Sequence, residues 1–151
     1  MLAHRGFTLI ELIVALVILA IISSVVFIRS PSQQSFEVDA WAETLLRDIR
    51  YTQILSMSLN RSYRIIFASQ RYTIQDENSQ PHQHPASELN YIPLPSGMTL
   101  SSSQTTVVFD GAGVPRDTGG SELSSNTTIT LTAGSESATV NIAPQTGFAY
   151  E

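Results

Sequence analysis

The chain has 151 residues and a formal charge of -5, from eight basic residues, all arginine, set against thirteen carboxylates. That balance argues against general binding to nucleic acid or to an anionic membrane surface. With no cysteine present, disulfides give no information about compartment, and the fold depends on its core alone.

Met1 to Gly6 carries His4 and Arg5 ahead of an apolar stretch, Phe7 to Ile28, that contains neither proline nor glycine. Its length of about 22 residues suffices for one bilayer crossing, so a transmembrane helix is expected over 7–29. Arg5 would stay on the cytoplasmic side, leaving the remainder on the opposite face, which in a Gram-negative cell is the periplasm. Ser23 and Ser24 imitate the small residues of a secretory cleavage site. The bulky Val25, Val26, Phe27 and Ile28 that follow are unlike the polar start of a mature domain. Thr8 and Glu11 have capping-box spacing. An ionised carboxylate at a bilayer centre costs at least about 2.5 to 3.5 kcal/mol, so Glu11 also calls for a partner.

Arg29, Ser30 and Pro31 mark the exit from the apolar stretch. From Phe36 to Leu59, Val38, Trp41, Leu45 and Ile49 fall on one stripe at spacings of three and four, while Glu37, Asp39, Glu43, Asp48 and Arg50 are expected to face elsewhere. This is an amphipathic helix over 36–59 that packs on something. If it continues from the membrane span, the two make one rod of about 80 Å, bent near Ser30 to Ser35.

After Asn60 the sequence alternates. Tyr63, Ile65 and Phe67 oppose Arg64, Ile66 and Ala68, and Arg71 to Gln75 follows as the second arm of a hairpin. Residues 76–90 read as a long polar loop and a candidate contact surface. Further strands are expected at Met98 to Leu100, Thr106 to Phe109, Thr127 to Thr132, Ala138 to Ile142 and Phe148 to Tyr150. Turns at Asp110-Gly111, Ala133-Gly134-Ser135 and Gln145-Thr146-Gly147 separate them. The stretch Asp117 to Asn126 is rich in glycine and serine, offers little to pack, and is expected to be mobile. A helix followed by antiparallel strands argues for an α+β fold, a helix laid on an antiparallel β-sheet spanning 62–151.

Few residues suggest chemistry. His82 and His84 would need further ligands to hold a metal and are expected in a solvated loop. Asp110, Asp117 and Glu122 surround a glycine-rich turn, with a spacing that matches no calcium loop. Gly111-Ala112-Gly113 precedes Pro115 and lacks the Lys-Ser/Thr of a phosphate loop. There is no nucleophile elbow and no cysteine, so neither catalysis nor a metal or other cofactor is expected. Arg47, Arg50, Arg61, Arg64 and Arg71 cluster in sequence, but the interleaved Asp48 and nearby Glu43 favour an ion-paired helix face over a phosphate track.

Gly6-Phe7-Thr8-Leu9-Ile10-Glu11 resembles the cleavage and methylation site of type IV prepilins and type II secretion pseudopilins. The resemblance implies a leader peptide over 1–6, cleavage after Gly6 by a prepilin peptidase and N-methylation of Phe7. It also implies pairing of Glu11 with the N-terminal amine of a neighbouring subunit, which would supply a partner for the buried charge. The capping and pairing roles of Glu11 are compatible. Leu45 to Gln53, the strand at Arg64 to Phe67, Val108 to Pro115 and Thr146-Gly147-Phe148 are similar to the minor subunits grouped as GspH/FimT, with features of MshC-type minor pilins.

The resemblance therefore implies a pilin-like fold with a periplasmic domain over 30–151, anchored in the inner membrane by a single pass. Its role would be that of a non-enzymatic minor pilin or pseudopilin near the filament tip, acting in secretion or adhesion. Its partners would be other pilins and the prepilin peptidase, with loops 76–90 and 117–126 as contact surfaces. DNA-binding FimT members carry Gly-Arg-x-Arg near the C-terminus, where this chain has Gly147-Phe148-Ala149-Tyr150. A DNA-binding pilin using the arginines from Arg47 to Arg71 is the rival reading, and a lone membrane-anchored periplasmic domain is a third.

Overall fold

The structure, a computed structural model, describes residues 8–28, 33–85 and 88–151. The chain divides after Ser32 into two compact units. The first contains helix α1, Leu9–Ile28, 20 residues long. The second, Gln33–Glu151, contains helix α2, Gln33–Leu59, and the strands. Half of the expected bend at Ser30 to Ser35, residues 30–32, lies outside the described residues.

Alternating apolar residues set the strands. They are β1 (Tyr63–Ala68), β2 (Arg71–Gln75), β3 (Ile92–Pro93), β4 (Met98–Ser102), β5 (Thr106–Phe109), β6 (Pro115–Arg116), β7 (Thr127–Ala133), β8 (Glu136–Ile142) and β9 (Ala149–Tyr150). The fold is α+β as expected, but the strands form two antiparallel sheets instead of one. The first has order β3-β2-β1-β5-β6 and the second β4-β7-β8-β9. The chain changes sheet at β4, which pairs with the distant β7 from Met98↔Ala133 to Ser102↔Ile129. A main-chain bond from Leu100 N–H in β4 to Ser69 O (2.8 Å) links the sheets where β1 ends, while Phe67 N–H to Thr105 O (2.9 Å) extends the β1–β5 ladder within the first sheet.

Helix α2 packs against β1 and β5 of the first sheet and β7, β8 and β9 of the second. Val38, Ala42, Leu45 and Ile49 are buried on its inner stripe, and Trp41 lies partly buried against the same core. Thr52 and Ser56 continue the stripe in polar form. The Thr52 hydroxyl donates to Asp48 O and the Ser56 hydroxyl to Gln53 O, so neither is buried unpaired. The helix ends in a Schellman arrangement. Asn60 N–H donates to Met57 O and Arg61 N–H to Ser56 O, with Asn60 at a φ of 49°, a left-handed position that asparagine tolerates.

Asp48 does not face solvent as expected. It is 6% exposed, because the opposed β2 and the segment at His84 supply its hydrogen bonds. Arg50 is likewise half-buried, its guanidinium donating to Ala149 O at 3.2 and 2.7 Å.

Candidate functional site

The residues expected to carry processing and assembly precede or open α1 in sequence. Gly6 and Phe7 are outside the described residues. Thr8 and Glu11 are within them, and the structure shows the Thr8 half of the capping box: the Glu11 N–H points at Thr8 Oγ1, 3.4 Å away, and Thr8 O accepts from Glu11 and Leu12 N–H. Glu11 is the acidic residue of the first turn. It stands among Leu9, Ile10, Leu12, Ile13, Val14 and Leu16, followed by Val17, Ile18, Leu19, Ile21 and Ile22, each at least half exposed. Among the described residues, no helix is long and apolar enough to cross a membrane. The expected span over 7–29 runs past those residues at both ends.

In the second unit, a polar cluster surrounds Asp48. Tyr72 donates its hydroxyl to Asp48 Oδ2 at 2.5 Å, and His84 Nε2 lies 3.0 Å from Oδ1. Tyr51 OH is 3.1 Å from His82 Nε2, and the His82 and His84 rings meet Tyr63 and Tyr51 edge-on. Burial, then the Asp48 charge and its hydrogen bond, drive the Tyr72 hydroxyl far above the ordinary phenol range. Burial, followed by the nearby Tyr63 and Asp48, also raises Tyr51. The two histidines expected in a solvated loop are thus half-buried against α2. Among the described residues, no group of three or more metal-binding side chains is arranged to hold an ion.

Three loops share one construction. Asp76, Asp110 and Asp117 each accept two backbone N–H groups on Oδ1, two and four residues on, at 2.8 to 3.0 Å. In each, the Asp N–H also donates to the carbonyl four residues on, and the residue three on has positive φ: Ser79, Gly113 and Gly120. The aspartate replaces the partners that the tight turn denies its amides. Arg116 adds a 2.7 Å bond to Asp110 Oδ2 and lies 3.7 Å from Glu122. Burial raises the Asp110 pKa, but the bonds from Arg116, Val114 and Ala112 outweigh it and hold the carboxyl below its ordinary value. The oxygens weighed for calcium are thereby engaged with amides and Arg116. The loop at 117–126 is not the loose segment expected, since Asp117 ties it and Leu123 is buried.

Gln53 joins two turns that are far apart in sequence. Its Nε2 donates to Gly113 O (2.8 Å) and Thr146 O (2.7 Å). The segments containing Gln53, Asp110 to Pro115 and Thr146-Gly147-Phe148 therefore meet at the C-terminal half of α2. All three carry the family resemblance in the sequence, and their contact emerges only from the fold. Gly147, at φ 67°, sits where a Cβ would meet Gln53 Nε2 at 2.6 Å and Gly113 O at 2.8 Å.

Four of the five clustered arginines are separately engaged. Arg47 donates to Thr44, Arg50 to Ala149 O while stacking on Phe148, and Arg64 to Glu77 O. Arg71 lies over the Tyr91 ring.

The comparisons agree with this geometry. A family described as "Prokaryotic N-terminal methylation motif" matches residues 1–27, and one described as "Type II transport protein GspH" matches residues 42–146. No curated protein matches the chain in sequence. Two crystal structures of the type IV minor pilin FimU from Pseudomonas aeruginosa are similar in fold. One has a TM-score of 0.56 at 14% identity, covering 80% of this chain and 91% of that one. The other has a TM-score of 0.54 at 15% identity, covering 74% and 90%.

Proposed function

This chain belongs to the family of the type II transport protein GspH, and on that premise we propose that it is a minor pilin or pseudopilin working near the tip of its filament. It is a structural subunit of a type IV-like filament, and its family is one of structural proteins rather than enzymes. The observation that carries the reading is the carboxylate of Glu11 in the first turn of α1, among apolar side chains exposed from Leu9 to Ile22. Such a surface is stable only when covered by lipid or other apolar helices, and a carboxylate in that setting needs a cation.

The processing order follows from the chemistry. Cleavage after Gly6 creates an amine at Phe7, and that amine on one subunit can pair with Glu11 on the next. Before cleavage the charge at this level is absent, so cleavage precedes assembly. In this reading residues 1–6 are the leader, 7–29 form the single pass in the inner membrane, and 30–151 form the periplasmic domain. The partners are other pilins or pseudopilins and the prepilin peptidase, which also methylates Phe7. The separate engagement of Arg47, Arg50 and Arg64 supports a protein partner over DNA.

Intact-mass spectrometry of the protein from its own cells tests the processing. We expect a chain beginning at methylated Phe7, and retention of residues 1–6 when Gly6 is replaced by leucine. A wild-type chain that keeps its leader contradicts the proposal.

A further inference from the structure

A shallow cleft of about 620 Å³ opens at the edge of the first sheet, lined by Ala68, Gln70, Arg71, Tyr91, Pro93 and Leu94. Three features make it a formed site. The turn Ser69-Gln70 joins β1 to β2 without positive φ, since among the described residues only Asn60 and Ser79 have it outside glycine. A two-residue hairpin of this kind splays its strands. The turn is then fixed from both sides, Leu94 N–H donating to Gln70 O at 2.9 Å and Leu100 N–H to Ser69 O at 2.8 Å.

The second feature is Arg71. Its guanidinium lies 5.2 Å from the centre of the Tyr91 ring, which pins it at the cleft. Among the described residues no side-chain hydrogen bond or ion pair engages it, whereas Arg47, Arg50, Arg64 and Arg116 all donate to protein oxygens. A held guanidinium with uncommitted donors matches a carboxylate in two-point fashion. The third feature is the wall formed by Ala68, Pro93 and Leu94, beside β3, which among the described residues is the outer strand of its sheet and pairs only with β2.

We propose that this cleft docks an extended segment of a partner polypeptide, with an acidic side chain on Arg71 and an adjacent apolar side chain against Pro93 and Leu94. Arg71 is the sole cation among the residues lining the cleft, and in a chain of net charge -5 this suits a single carboxylate and not a polyanion. An open cleft along a sheet edge suits a passing chain. The inference does not depend on the filament reading.

The test uses the full chain in detergent micelles, with backbone amide NMR, and the peptides acetyl-Val-Glu-Leu-amide and acetyl-Val-Gln-Leu-amide as probes. The glutamate peptide is expected to shift the amides of Ser69, Gln70, Arg71 and Leu94 saturably, with Kd about 1 mM, and the glutamine peptide to bind about tenfold more weakly. Arg71→Gln, at an exposed position, should remove the preference for glutamate. Arg71→Lys should retain only part of it, and Tyr91→Leu should weaken it several-fold by freeing the guanidinium. Equal binding of the two peptides, shifts mapping elsewhere, or an unchanged preference in Arg71→Gln would overturn the proposal.

Discussion

Replacing Gly147 by alanine tests how α2 fastens the two sheets. The residue sits at φ 67°, where an L side chain costs about 1 to 2 kcal/mol. The new Cβ would lie 2.6 Å from Gln53 Nε2, 2.8 Å from Gly113 O and 2.9 Å from Phe109 Cε1. The amide of Gln53 must move, weakening its bonds to Gly113 O and Thr146 O at about 0.5 to 1.5 kcal/mol each. Together the terms reach about 2 to 5 kcal/mol, a large share of the stability of an ordinary domain. For a domain of this size that is a fall in Tm of about 8 to 20 °C. Gly120→Ala is the control, since it has φ 84° but nothing within 4 Å, so only the backbone cost of about 1 to 2 kcal/mol remains. Thermal unfolding of the Gln33–Glu151 fragment, followed by circular dichroism, measures both. A Gly147→Ala variant no less stable than Gly120→Ala would refute the reasoning.

Asp48→Ala should destabilise by about 2 to 4 kcal/mol in urea titration, because it leaves the buried Tyr72 hydroxyl without its acceptor. His84→Ala should cost less, and should chiefly raise hydrogen exchange in 80–85. Because the Asp110 pKa is lowered on folding, its contribution is present above the ordinary carboxylate value and is lost as pH falls through the folded value. Wild type should therefore lose more stability than Asp110→Asn as the buffer is acidified below about pH 4, the ordinary carboxylate value. A parallel pH profile for the two would remove Asp110 from the account.

The helical stripe was legible because α2 buries Val38, Leu45 and Ile49 at spacings that local sequence carries. Asp48 was not, since its partners Tyr72 and His84 lie 24 and 36 residues away and nothing local announces them. Strand faces were readable from alternation, but alternation is silent on pairing, so the division into two sheets was hidden. The strands β3 and β6 are two residues long and each contains a proline, which ordinarily argues against a strand. A signal for the tied loops did exist: Asp110 and Asp117 each precede a glycine by three residues, the position that turns left-handed. The head of α1 was read from residues 5 to 12 through a family resemblance, because the function of Glu11 depends on another chain.

The most direct test of the account is co-purification of a Glu11→Ala variant with the filament. The carboxylate is taken to act after cleavage, as partner to a neighbour's amine, so the variant should appear by mass as a normally processed chain starting at Phe7. It should nevertheless be depleted from filament fractions by about tenfold or more, the scale expected when one member of a buried charge pair is lost. A processed variant recovered with the filament at wild-type abundance would contradict the account.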